Sequence, residues 1–326
     1  MTSAHHHRSK GRDGGIADFE RREIGVVIVP MDFSRASLAA LAFAESIVAG
    51  TSRRIRLLHA VPAPALEEVA PAQQALVDAA SSRLEDLAAP LRRRGIAVDA
   101  KAATGAPVDL VEIAVREARA EGVEALVALG DRGLSALRRA ILGSVADAVL
   151  RRVDGPVIVT HERDEPAGRM RVVVAYGFDQ EGGEALGAFV ELFAPRAGGV
   201  LVELVHALPE LDWTEGTDAP LLRTAFTDEF ERRRCGELEE VAARLRMRGF
   251  AAEAFLVRGE PARAVLAHAT AARADLVVSG RRHRRAFERV LLGSTAEGIV
   301  HRARCAVLTS GLARSAVPGP KVAIIA

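Results

Sequence analysis

Ile24-Gly25-Val26-Val27-Ile28-Val29-Pro30-Met31-Asp32-Phe33-Ser34 is the stretch on which the fold turns. Its first six residues form an unbroken apolar run, the mark of a strand covered on both faces rather than one. Ser34 is placed to cap a following helix, in which Leu38, Leu41 and Val48 recur at helical spacing. The same alternation continues outward. Arg53 to His59 predicts a second strand, Gln74 to Arg94 a long helix, Ile96 to Ala102 a third strand and Pro107 to Glu121 a helix. Ala125 to Leu129 predicts a fourth strand, Ser144 to Arg152 a helix and Val157 to Val159 a fifth strand. Strands alternating strictly with helices imply an α/β fold: a parallel sheet with helices on both faces.

After a polar stretch from His161 to Met170, the order starts again. Val172 to Val174, Val200 to His206, Ala254 to Val257, Leu276 to Val278 and Ala306 to Leu308 answer the five strands in turn. Gly105-Ala106-Pro107 answers Gly259-Glu260-Pro261, His59-Ala60 answers His206-Ala207, and Leu142-Gly143-Ser144 answers Leu292-Gly293-Ser294. Short matches in a common order indicate an internal repeat. The expected divisions are a polar tail over residues 1–22, one unit over 23–160, a second over 170–310 and a tail over 311–326.

Composition narrows the function. The 326 residues carry 44 Lys and Arg against 43 Asp and Glu, with one Trp and one Tyr. A nucleic-acid binder would show a basic surplus and stacking aromatics, so no nucleic-acid partner is expected. No apolar run reaches membrane-spanning length and the first 22 residues hold no hydrophobic signal core, so membrane insertion is not expected and a cytoplasmic location is. Cys235 and Cys305 stand apart, which removes a CxxC zinc or redox site.

The pattern richest in chemistry is Gly130-Asp131-Arg132-Gly133, nine residues, then Gly143-Ser144. It runs from the end of the fourth strand to the start of a helix. Glycines let backbone N–H groups approach an anion, and a helix N-terminus adds partial positive charge. The same glycines also serve as turn residues. Asp32, just beyond the first strand, has two readings: a carboxylate for ribose hydroxyls or a phosphate-bound metal ion, or a helix cap. The strand ends at His59 and His206 read as hydrogen-bonded structural histidines, and Cys305 as a small core residue.

Val-Pro-x-Asp-Phe-Ser, Leu-Leu-His-Ala-Val, Gly-x-Pro before a helix, and G-x2-G-x9-G-[S/T] together resemble the universal stress protein family, once over about residues 23 to 160 and again over 170 to 310. The resemblance implies two tandem doubly wound domains, each a five-stranded parallel sheet in the order 3-2-1-4-5. It also implies ATP as cofactor, with Mg²⁺, in members that keep the glycine motif. Carried over by position, Pro30 lines the nucleoside pocket, Asp32 faces the nucleoside and Ala60 sits beside the adenine. Leu129, Gly130, Gly133, Gly143, Ser144 and Val145 surround the phosphates, with Arg132 in the loop either adding charge or standing in solvent.

The second unit departs from this pattern. Gly177 stands where the first has Asp32, and His283 where it has Gly133. The second unit is therefore expected not to take ATP in the family manner. Asp179 is a candidate displaced carboxylate, and the arginines from Arg281 to Arg285 are either a solvated charge run or a site for phosphate or an acidic partner. The function these features imply is an ATP-binding signalling module, read by a regulatory protein partner or by a second copy of the chain, with no fast turnover. The alternatives are a slow ATP-hydrolysing or adenylate-handling enzyme and a nucleotide-independent adaptor. The resemblance also implies that the last strands, Val157 to Thr160 and Ala306 to Thr309, pair as an intrachain pseudo-dimer, as family members pair along that edge, and homodimerisation stays open.

Overall fold

The computed structural model describes residues 23–63, 70–131, 142–161, 169–208, 220–281, 284–286, 289–291 and 293–311. The first half contains β1 (Ile24–Pro30), α1 (Arg35–Val48), β2 (Arg54–Val61), α2 (Ala70–Arg93), β3 (Val98–Thr104), α3 (Pro107–Ala120), β4 (Glu124–Gly130), α4 (Ser144–Arg152) and β5 (Val157–Thr160). The second contains β6 (Met170–Ala175), α5 (Gln180–Phe193), β7 (Val200–Leu208), α6 (Pro220–Met247), β8 (Ala251–Arg258), α7 (Pro261–Ala271), β9 (Leu276–Gly280), β10 (Arg284–Ala286), β11 (Arg289–Leu291), α8 (Ser294–Arg302) and β12 (Ala306–Ser310). The two tails expected from the sequence lie outside the described residues.

All strands except β10 and β11 join one ten-stranded sheet, ordered β3-β2-β1-β4-β5-β12-β9-β6-β7-β8. Each half has the local order 3-2-1-4-5 with parallel pairing throughout. The halves meet antiparallel at β5 and β12, Val159 opposite Val307, Ile158 opposite Leu308 and Val157 opposite Thr309. This is the expected intrachain pseudo-dimer, and it satisfies the backbone groups of two strands that would otherwise be open edges.

Alternation along β1 shows why the run had to be apolar on both sides. Val27 and Val29 join the core under α1, α2, α5 and α6, whereas Val26 and Ile28 join the core under α3, α4, α7 and α8. Each such side chain contributes about 1.5–3 kcal/mol relative to exposure. The Gly-x-Pro repeat has a local cause too. Gly105 and Gly259 adopt φ of +147° and +119°, which a side chain would resist, and the following Pro107 and Pro261 open α3 and α7 where no N–H is needed.

Between the halves, arginines bond to the C-terminal carbonyls of helices belonging to the other half. Arg53, at 7% exposure, donates from Nε to Ile24 O at 3.0 Å and from Nη2 to Glu191 O, near the end of α5, at 2.7 Å. Arg196 returns the arrangement, donating to Ser46 O and, at 2.9 Å, to Ala49 O at the end of α1. A cation at a helix C-terminus both fills an orphan carbonyl and complements the helix dipole. Arg151 of α4 adds an ion pair to Glu297 of α8 at 2.9 Å. Sequence periodicity placed Arg53 inside the second strand, but the strand starts at Arg54 and Arg53 belongs to this inter-half contact.

No described helix is long and apolar enough to cross a membrane.

Candidate functional site

The parallel register brings the carboxyl ends of β1 and β4 side by side. Ile28 lies opposite Val127, so Pro30 and Leu129 stand level two residues further on. Strand order reverses between them, the position where α/β sheets open a ligand crevice. Ala60 lies inside β2 rather than at its end, paired with Ala103, because β2 runs on to Val61. Gly143, Ser144 and Val145 form the start of α4, tied back to the end of β4 by Gly143 N–H donating to Asp131 O at 2.8 Å. Arg132 and Gly133 lie outside the described residues.

Asp32 sits in a tight turn. Its Oδ1 accepts the Ser34 N–H at 3.0 Å, and Ser34 Oγ in turn accepts the Ser37 N–H at 3.2 Å to cap α1. Ser34, not Asp32, thus caps α1, and the half-buried Asp32 orients that cap residue in the turn that follows β1. The next residue, Phe33, has φ of +62°. A non-glycine residue in this region costs on the order of 1–3 kcal/mol, and such residues cluster where a loop must hold one shape. Phe33 is held by ring contact with His59 at 4.8 Å and by the Arg83 guanidinium 3.9 Å above its face. His59 Nδ1 bonds Met31 O at 2.7 Å, so this histidine braces the loop.

The second half repeats the brace. Phe178 has φ of +55° and packs 4.8 Å from His206, whose Nδ1 bonds Tyr176 O at 2.7 Å, and Arg234 lies 4.8 Å over the ring. Burial holds the His206 imidazole below its ordinary pKa, Arg234 adds to the effect, and the bond to Tyr176 opposes it. Both histidines are structural, as the strand-end reading expected.

Gly130 has a packing role that motif spacing does not reveal. A Cβ there would lie 2.5 Å from the backbone carbon of Ala36 in the first turn of α1. Gly280 repeats this against Glu181, at 2.6 Å. These glycines let the end of each fourth strand touch the first turn of each first helix.

α4 begins at Gly143, which offers no side-chain cap, and α8 begins the same way at Gly293. First-turn N–H groups of an uncapped helix are suited to receive an anion. In the second half the corresponding crevice is a cavity of about 250 Å³, lined by Ala175, Gly177, Ala207, Gly280, Gly293 and Ser294 among others. These are counterparts of Pro30, Asp32, Ala60, Gly130, Gly143 and Ser144. The second half therefore holds open space at these positions, with different side chains around it. Asp179, the candidate displaced carboxylate, caps α5 by accepting the Gly182 N–H at 2.9 Å, and its Oδ1 lies 3.0 Å from where a Cβ on Gly177 would be. Among the described residues no group of three or more His, Cys, Asp or Glu is placed to hold a metal ion.

One expectation is overturned at Arg281. It is neither solvated nor available to a phosphate or an acidic partner: it is 0% exposed and bonded to carbonyls of the first half. The reason is the seam, which turns the chain after β9 toward α4. Arg282 and His283 lie outside the described residues, and the backbone of Arg284 and Arg285 belongs to the β10–β11 hairpin, which no sequence periodicity announced. Cys305 is buried, in line with its reading as a core residue.

Comparison with known proteins agrees with this geometry. A sequence model described as the universal stress protein family matches residues 23–161 and again 168–310. A universal stress protein of Mycolicibacterium smegmatis is 31% identical over 187 residues, covering 56% of this chain and 60% of that protein. One from Mycobacterium tuberculosis H37Rv is 29% identical over 206 residues, covering 60% of this chain and 61% of that protein. The match thus spans about three-fifths of these relatives' length. Among solved structures, a universal stress protein from Archaeoglobus fulgidus is similar with a TM-score of 0.67 at 21% identity, covering 88% of this chain and 98% of that one. A protein of unknown function from Pseudomonas aeruginosa PAO1 gives 0.62 at 21% identity, covering 89% and 93%. At these identities the structural likeness speaks to the fold.

Proposed function

The chain belongs to the universal stress protein family in tandem form, and on that premise we propose that it is a nucleotide-responsive signalling module whose first half takes up ATP. The observation that supports this reading is that the Asp32 turn follows β1 and the uncapped start of α4 is tied to the end of β4, two strands that are neighbours in the sheet. A carboxylate there suits ribose hydroxyls, and the amide groups at Gly143 to Val145 suit phosphate oxygens. Mg²⁺ would travel on the phosphates, since this cation keeps several waters and seldom needs a dedicated cage of side chains. The second half acts as the fixed partner of the first. Its crevice has no carboxylate at the Asp32 position; Asp179, which lines that crevice, also caps α5 through Oδ1.

Calorimetric titration with ATP tests this. The expected result is one nucleotide per chain, with affinity at least about tenfold weaker in Asp32→Ala, the loss expected when a charge-assisted hydrogen bond worth about 1.5–3 kcal/mol is removed. A well-folded wild-type chain that takes up no ATP overturns the reading, as does an Asp32→Ala variant that binds unchanged.

A further inference from the structure

α4 is held from its far end by the other half. Arg281 donates from Nη1 to Leu150 O at 2.6 Å and from Nη2 to Val153 O and Gly155 O, both at 2.8 Å. Leu150 lies in the last turn of α4, Val153 follows it as C-cap, and Gly155 leads into β5. The guanidinium is wholly enclosed and Arg281 is among the largest fully buried side chains of the protein. Burial lowers its pKa to about 10, with Asp154 acting in the opposite direction, so it remains a cation at neutral pH.

The placement breaks the symmetry of the two halves. Arg281 follows Gly280 as Asp131 follows Gly130, and their backbones do the same thing: Arg281 N–H donates to Ser310 O at 2.8 Å and Asp131 N–H to Thr160 O at 2.9 Å. An aspartate side chain carries no guanidinium fork to reach the corresponding carbonyls of α8. The clamp therefore runs in one direction. The half that lacks the Asp32 carboxylate supplies it, and the half that keeps that carboxylate receives it.

We propose that Arg281 is a positioning residue for the first half's phosphate end, setting the place of the Gly143–Val145 amides by gripping the opposite end of α4 from the second half. The inference rests on the ATP reading of the first crevice and explains what the second half adds to it. A helix of nine residues is a short rigid rod, about 13 Å from end to end at 1.5 Å per residue. Amides that must meet phosphate oxygens tolerate displacements of only about 0.5 Å. Arg151 to Glu297 ties the same helix to α8 at 2.9 Å, so α4 takes its position from the second half at two points. The β10–β11 hairpin lies on the same connection that Arg281 begins, which places the second half's own loop and the first half's helix on one anchor.

The test uses the full chain with Arg281→Gln and Arg281→Lys, each checked for native circular dichroism, and two probes: ATP and adenosine. Arg281→Gln is expected to weaken ATP by about tenfold while adenosine, which has no phosphate, changes by less than about twofold. Arg281→Lys keeps the charge but concentrates its donors on one nitrogen, so it should fall between wild type and Arg281→Gln. Without ligand, amide exchange over Ser144 to Arg152 should quicken in Arg281→Gln while β1 and β2 are unchanged. Equal losses for ATP and adenosine, or unchanged ATP affinity, overturn the positioning role. If wild type binds no ATP, the functional reading falls, and the exchange experiment decides separately whether Arg281 positions α4: unchanged exchange there overturns that as well.

Discussion

Gly130→Ala separates two meanings of a glycine that spacing alone leaves merged. The added Cβ would lie 2.5 Å from Ala36 C and 2.6 Å from both Ala36 Cβ and Ala36 O. Two of those atoms are backbone in the first turn of α1, so they give way only if the helix moves. Overpacking of this kind costs about 1–3 kcal/mol, and contact with backbone puts it near the upper figure. Alanine restricts the unfolded chain more than glycine, which returns about 0.4–1 kcal/mol. The net expectation is a loss of about 2 kcal/mol in the ligand-free protein. Urea unfolding followed by circular dichroism reads it directly as a lower midpoint. Gly280→Ala, whose Cβ would lie 2.6 Å from Glu181 C, should lose a similar amount although its half lacks the Asp32 carboxylate. Gly50→Ala is the contrast: nothing lies within 4 Å, and its positive φ costs about 1 kcal/mol without any clash. If Gly130→Ala unfolds within about 0.5 kcal/mol of wild type and loses only nucleotide affinity, the packing argument is wrong and the glycine serves the ligand.

Two further outcomes follow from the geometry. Arg53→Met should strip the donors from Ile24 O and Glu191 O, costing about 3 kcal/mol in unfolding free energy because each orphaned carbonyl carries about 1–3 kcal/mol. Arg232→Ala, whose pair to Glu229 is 73% and 72% exposed, should cost less than about 0.5 kcal/mol, and a reversal of that order contradicts the inter-half role of Arg53. His206 binds its proton less readily folded than unfolded, so it contributes no pH dependence above its ordinary value of 6.5. As pH falls through 6.5 the unfolded chain protonates first and stability drops; urea midpoints taken from pH 8 downward should show this fall in wild type and a shallower one in His206→Gln. An identical slope in both proteins removes His206 as a source of the acid sensitivity.

Much of the fold was legible because two-sided burial leaves a mark in the chain. Val26 to Val29 had to be apolar at every position since alternate residues face different helix layers. The repeat was legible for the same reason, whereas the seam was legible only through the family resemblance, which implies pairing along the last strand. Site positions were readable where a motif implies a place in the fold: Asp32 beyond β1, Gly143 at the start of α4. The unexpected features depend on contacts between distant segments. Nothing local distinguishes Arg53 or Arg281 from a solvated arginine, and each bonds a carbonyl more than a hundred residues away, at Glu191 and Leu150. The strained Phe33 and Phe178 were likewise hidden, because their support comes from His59 and His206 on the neighbouring strand.

The sequence by itself determined the doubled α/β architecture, the family, and the loss in the second half of the carboxylate that the first half has at Asp32. Periodicity and spacing are local properties, and secondary structure and motif positions follow from them. Only the tertiary structure decided how the halves depend on each other: the antiparallel register in which β5 meets β12, helix ends of one half held by arginines of the other, and Gly130 fitted against α1. Those outcomes rest on which carbonyl or backbone atom lies within about 3 Å of a given group, and that distance exists only once the chain has closed on itself.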